Sequence, residues 1–285
     1  MSHMSTSIEK QTLNPASRNG ARILENKCAL VFGAGGSIGA TVAREFAAEG
    51  ARVFLVGRTE SGLEPVAEQI KATGGTAQTA AFDVLDDAAV NRYLDSIVKQ
   101  TGKIDIVVDA SGPLAKDYGN GKIAVDLPVE EFMVPLATIV KARFITARAA
   151  ARHMIAQKSG VIIFVTGSPA RGHVPGATAI GAAFGAIENL TENLAFEVSP
   201  FGVRVVCLRT LANIDSRSIQ DTMEVLAGKL NITKDQAMAQ IAMSNFLKVP
   251  ATVQDTANAA VLIASDRARM MTATVVNATA GAALD

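Results

Sequence analysis

From residue 27 onward, short apolar runs of strand length alternate with longer runs whose apolar residues recur every three or four positions. The short runs are CALVFG (28–33), ARVFLVG (51–57), TAAFDV (79–84), IDIVVDAS (104–111), GVIIFVTGS (160–168), VRVVCLRT (203–210) and TATVVNA (272–278). Helical spacing fills 37–50, 60–75, 86–102, 129–158, 176–198 and 252–265. The short runs are continuous rather than alternating, which predicts strands covered on both faces. Strand followed by helix, repeated, predicts right-handed βαβ units and a parallel sheet. The expected class is α/β: one doubly wound parallel sheet of about seven strands, with helices on both faces, over 27–285. Residues 1–26 are polar and unpatterned, so a flexible arm is expected there, with MSHM (1–4) as a tag remnant. A polar insert, 211–245, predicts two short amphipathic helices that carry Met223, Met238 and Met243. Methionines at this spacing suit either core packing or a pliable apolar lid over a substrate.

Composition narrows the function. With 49% hydrophobic residues the chain can bury a large core, and 27 basic residues balance 27 acidic ones. A neutral balance supplies no field that would favour nucleic acid or an anionic membrane. No apolar stretch is long enough to span a bilayer, and the first residues lack the apolar segment of a secretion signal, so the expected location is cytoplasmic. Cys28 and Cys207 both lie in strand-like runs and read as buried hydrophobes. His3, His153 and His173 lack metal-ligand spacing, so no metal is expected.

The first turn carries the candidate chemistry. FGAGGSIGA (32–40) stands between a strand and a helix, where free N–H groups and the positive helix end meet a phosphate. Glycine there lets a dinucleotide's pyrophosphate approach the backbone. Gly33, Gly35, Ser37, Ile38 and Gly39 are the candidate contacts, with Ser37 also a good residue for capping the helix. The second strand ends in Gly57-Arg58-Thr59, where an acidic residue would hold the ribose hydroxyls of NAD. The Arg58 fork matches a phosphate instead, which points to NADP(H), and Thr59 can assist. Asp83 and Val84, at the end of the third strand, are placed to meet the adenine edge. Ala110, Ser111 and Gly112, at the end of the fourth, are placed to lie along the cofactor.

With these pieces in hand, the chain resembles the short-chain dehydrogenases/reductases from about residue 27 to its end. GAGGSIG, LVGRTESGLEPVAEQI, FDV, DASG, ITARAAARHM, LTENLAFEVSPFGVRVV and AVLIASDRARMMTATVV carry the resemblance. It implies a Rossmann-type domain, a small-molecule substrate and a homo-oligomer, dimer or tetramer, paired through the helices after strands four and five. The Ala- and Gly-rich stretch 177–187 suits such pairing. Two positions of the cofactor turn depart from the family's pattern: Phe32 stands for its Thr and Ser37 for its second Gly.

The family's chemistry uses a Tyr and a Lys four residues on, a Ser on the preceding strand and an Asn on the helix before. Counting from LTENLAFEV and FITARAAARHM, those places fall on Ile180, Phe184, Gly167 and Ile139. No Tyr or Lys occurs from 161 to 228. A standard carbonyl–alcohol mechanism is therefore not expected. Three polar residues remain as candidates near the cleft: Ser168 for a substrate hydrogen bond, His173 for titration near neutrality, and Tyr118 as a displaced acid. Arg171 joins the cluster in TGSPARGH, while Lys141 and Arg143 are expected at a surface or subunit contact. Three functional readings follow. The first is an NADP(H)-dependent reductase of C=C, C=N or C=O in a small apolar substrate. The second is a catalytically silent NADP(H) sensor or partner subunit. The third is a non-redox lyase or isomerase.

Overall fold

The computed structural model describes residues 22–285. The strands β1 (Cys28–Phe32), β2 (Arg52–Gly57), β3 (Thr76–Ala81), β4 (Ile106–Asp109), β5 (Gly160–Gly167), β6 (Val203–Thr210) and β7 (Thr274–Ala278) form one parallel sheet. Their order is β3-β2-β1-β4-β5-β6-β7. Alternate residues of each strand enter two separate cores. Leu30, Phe32, Phe54, Val107, Ile162, Phe164 and Val205 face α3 (Asp87–Thr101), α5 (Lys141–Gln157) and α6 (Thr178–Val198). Val31, Val53, Leu55, Val108, Ile163 and Val206 face α1 (Ser37–Ala48), α2 (Glu60–Ala72) and α9 (Val253–Ala264). Burial on both faces is why the central strands read as unbroken apolar runs.

Chain order reverses between β1, which pairs with β2 on one side and β4 on the other. In an open α/β sheet this switch point opens a crevice beyond the strand C-termini. Gly33, Arg58, Ser111 and Ser168 all lie just past those ends.

Four sequence expectations change in detail. The third strand is shifted: it covers TAQTAA and stops at Ala81, so Phe82, Asp83 and Val84 follow the strand. It is a sheet edge, which is why alternation replaces an apolar run. The expected helix 129–158 is interrupted. Its first part, α4 (Val129–Pro135), is joined to α5 by a π-helical turn, Leu136–Val140. Pro135 has no N–H and its ring crowds the preceding turn, so the regular ladder breaks there. Packing begins before Lys27: Leu24 is fully buried, and its N–H donates to the Glu49 carbonyl. The rest of the expected arm, including MSHM, lies outside the described residues. Finally, Met243 is exposed, whereas Met223 is buried and Met238 half-buried beside Ala227, Ala237 and Ile241. These belong to α7 (Arg217–Leu230) and α8 (Lys234–Met243), the two helices of the insert.

Candidate active site

The glycine turn is built for close approach. Gly33 has φ +77, and a Cβ there would sit 2.7 Å from the Ser111 nitrogen. A Cβ on Gly39 would strike the Gly33 carbonyl oxygen. Gly35 and Gly36 are exposed at the mouth of the turn. The first N–H groups of α1 point out of the helix end, unpaired by helix geometry. Backbone glycines, free N–H groups and a positive dipole end fit a dinucleotide pyrophosphate. Ser37 does not cap α1; that place belongs to Gly36. The Ser37 hydroxyl instead accepts the Arg217 N–H at 3.1 Å, so the first residue of α7 is tied to the cofactor turn.

Arg58 and Thr59 are exposed after β2. Arg58 has no ion-pair partner among the described residues. Asp83 is exposed, and its carboxylate accepts the Leu85 N–H. The end of β4 is more tightly held. Asp109 is fully buried, and its Oδ1 accepts from the Ser111 N–H and hydroxyl and from Arg143. Thr146 donates to its other oxygen. Arg143 also donates to the Ser111 carbonyl at 2.7 Å. The expectation of a surface role for Arg143 is thus overturned: it is 2% exposed and braces the strand end beneath Ala110, Ser111 and Gly112. Burial lowers its pKa while the Asp109 charge opposes that. Nothing in its local spacing marks Arg143, but an Asp at the end of an apolar strand needs a buried partner. Lys141 is exposed, in line with the expectation.

The residues onto which the sequence maps three of the catalytic groups are apolar and lie close together. Ile139, in the π turn, and Ile180, in α6, are both buried and share one core with the Phe184 ring. A Cβ on Gly112 would meet Ile139 at 3.8 Å, and one on Gly167 would meet the Phe184 ring at 3.1 Å. Because β4 and β5 pair directly, these contacts line the same end of the sheet.

The three polar candidates are not brought to one point. Ser168 is buried directly after β5, and its hydroxyl bonds to no other described residue. His173 is exposed beside a groove of ≈ 290 Å³ whose wall includes Thr178, Gly181 and Ala182. At about 100° per residue, that wall lies roughly a third of a turn around α6 from Ile180 and Phe184. Tyr118 ends a short 3₁₀ turn, Ala115–Tyr118, and is buried rather than exposed. Burial, and then the Asp117 charge, push its phenol up to about 12. It is therefore a hydrogen-bond donor more than a mobile acid. The following residues join two neighbours: the Gly121 N–H donates to the Gly176 carbonyl, and Asn120 donates to Thr222 of α7.

A second buried ionic group went unseen in the sequence. Glu188 on α6 accepts two hydrogen bonds from Arg209 of β6, at 2.7 and 2.9 Å. Arg171 approaches the same carboxylate at 3.5 Å, and Arg209 also pairs with Asp285. Those hydrogen bonds raise the Arg209 pKa. Both cysteines are free and buried, and burial pushes Cys28 to about 11 and Cys207 to about 12, which leaves them protonated. Among the described residues there is no group of side chains that could hold a metal ion, and no helix long and apolar enough to cross a membrane.

Residues 27–227 match the model of the short chain dehydrogenase family. This chain belongs to that family. Dehydrogenases and reductases are among its relatives. The short-chain reductase protein NovJ of Streptomyces niveus is 28% identical over 259 residues, 91% of this chain and 95% of the relative. Gluconate 5-dehydrogenase of Gluconobacter oxydans is 34% identical over 182 residues, 62% of this chain and 67% of the relative. Among solved structures, an NAD+-bound xylitol dehydrogenase aligns with a TM-score of 0.80 at 26% identity, over 89% of this chain and 98% of that one. A putative gluconate 5-dehydrogenase from Beutenbergia cavernae, with bound NADP, aligns with a TM-score of 0.79 at 25% identity, over 92% and 99%. The resemblance read from the motifs and the single seven-stranded fold are thereby both confirmed.

Proposed function

We propose that this short-chain dehydrogenase family member is an NADP(H)-dependent oxidoreductase that transfers hydride without a resident tyrosine–lysine pair. One observation carries the reading: a glycine cradle with an exposed Arg58, without an ion-pair partner among the described residues, stands at the same sheet end as the apolar Ile139, Ile180 and Phe184, which fall on three of the four places where the family's polar groups are expected. The cradle speaks for a nucleotide, and Arg58 for its 2′-phosphate. Bound NADP(H) would supply a hydride donor or acceptor. The chain's residues would then hold a small apolar substrate against it, and positioning alone can supply much of a barrier. In this reading Gly33, Gly35, Ser37, Ile38 and Gly39 hold the pyrophosphate, while Arg58 and Thr59 hold the 2′-phosphate. Asp83 and Val84 meet the adenine, and Ala110 to Gly112 border the nicotinamide half. Ser168 donates to the substrate, with Tyr118 in the core behind Ile139 and Ile180 and His173 beside the neighbouring groove. The subunits pair through α5 and α6, where Phe144 and Phe196 are exposed and Gly185 faces open space.

The test is a fluorescence titration of the protein with NADPH and NADH, followed by a panel of ketones, enones and imines read by loss of NADPH absorbance. Saturable NADPH binding with turnover of one class is expected. Binding with no turnover across the panel would leave a sensor or partner subunit. No binding would leave a non-redox use of the cleft. Arg58→Asp should shift the NADPH/NADH preference toward NADH by at least about tenfold, the worth of one charge-assisted hydrogen bond. An unchanged ratio would remove Arg58 from the site.

A further inference from the structure

We infer that the substrate reduced in this cleft is a carbon–nitrogen double bond already carrying positive charge, an N-alkylated or cyclic iminium ion. The inference rests on the reading of the cleft as a hydride-transfer site and names its substrate class. Proton balance separates the substrate classes. A hydride leaves the nicotinamide C4 with both electrons of its C–H bond and forms a new C–H bond at the electrophilic carbon. The π pair of that carbon moves to its partner atom. In a ketone the pair makes an alkoxide, and in an enone an enolate; each must then take up a proton. In an iminium ion the pair becomes the lone pair of a neutral amine, and the reaction is complete.

The structure withholds a proton donor where the first two products would need one. Ile180 and Ile139 are buried, and the Phe184 ring lies against Gly167. That last contact is informative. A Cβ at 167 would be 3.1 Å from the ring, closer than ordinary van der Waals contact, so the ring would have to give by a few tenths of an ångström to admit a side chain there. The Phe184 ring thus packs over the end of β5. His173 stands in the loop before α6, beside a groove walled by a different face of that helix, and Arg171 is engaged by Glu188. Two hydroxyls remain: that of Ser168, directly after β5, and the phenol of Tyr118, in the core that holds Ile139 and Ile180, which burial pushes up to about 12 and so makes a poor proton donor near neutral pH. An oxyanion forming here would lack most of its usual donors, and each missing donor costs about 10²–10³ in rate. A neutral amine forming among apolar side chains bears no such cost. The exchange of a lysine cation for an aromatic ring acts in the same direction. It removes repulsion and offers a π face to a cationic substrate.

The experiment compares three isosteric bicyclic probes in the intact protein with NADPH: N-methyl-dihydroisoquinolinium, tetralone and the matching cyclic enone, each corrected for its uncatalysed rate. The expected kcat/KM for the iminium exceeds that for the ketone and enone by at least about 100-fold. No solvent deuterium isotope effect is expected, because no proton moves. A second readout needs no turnover. Calorimetry should show N,N-dimethyl-tetrahydroisoquinolinium binding at least about tenfold more tightly than tetralone, a preference that Phe184→Lys abolishes while NADPH still binds. Equal or faster reduction of the ketone or enone, with NADPH bound, overturns the iminium assignment and leaves the oxidoreductase reading standing. So does bound NADPH with neither iminium turnover nor a preference for the quaternary cation. Absence of NADPH binding overturns both.

Discussion

Arg143 and Asp109 form the ionic contact that most directly shapes the cofactor crevice. Both are buried, and the guanidinium reaches past the carboxylate to the Ser111 carbonyl. A buried pair of this kind adds little net stability against an apolar replacement, but breaking one partner strands a charge and costs about 3–5 kcal/mol. Arg143→Met should therefore lower unfolding stability by about that amount in urea denaturation. The double variant Arg143→Met, Asp109→Asn, which removes the stranded charge and keeps an acceptor for Ser111 and Thr146, should recover part of the loss. If the double variant is as unstable as the single one, the pair is not the origin of the effect. The same residues show what a single sequence hides. Asp109 ends the apolar run IVVD, and its need for a partner can be argued from burial alone. Which residue answers it depends on how α5 docks on the sheet, 34 positions later.

At the level of elements, the long helices and central strands were legible because their periodicities differ and both cores are apolar. The departures have local causes. β3 lies at an edge and so lost its apolar signature, and Pro135 converted one turn into π geometry. The site was legible in part. The glycine turn, Arg58 and the apolar Ile180 and Phe184 of α6 announce themselves by place and type. The Glu188–Arg209 pair and the link between Ser37 and α7 join residues 21 and 180 positions apart, beyond any local pattern. That link also yields a prediction. Ser37→Ala removes the acceptor for the Arg217 N–H, so amides in the first turn of α7 should exchange about three- to tenfold faster, the worth of one hydrogen bond. Exchange in β1 and β4 should not change. Unaltered protection of α7 would mean that Asn120 and Thr222 hold the insert unaided.

Across the whole molecule, the buried acids set the response to alkali. Burial holds the phenols of Tyr93 and Tyr118 at about 12, and the thiols of Cys28 and Cys207 at about 11 and about 12. In the unfolded chain these groups ionise near their ordinary values of 10.0 and 9.0, so base favours unfolding. Their contribution is fully present below about pH 9 and is lost progressively as pH rises toward about 12. Urea midpoints should be flat from about pH 7 to about pH 8.5 and fall steeply beyond about pH 10, and Tyr118→Phe should soften the decline. A midpoint that does not move up to about pH 11 would contradict the burial of these groups. The contact between Phe184 and Gly167 leaves little slack at the end of β5. A side chain at 167 would meet the ring at 3.1 Å, so the ring would have to give by a few tenths of an ångström to admit it. What position 167 can hold therefore depends on what stands at 184, and the two residues are free to vary together more than one at a time.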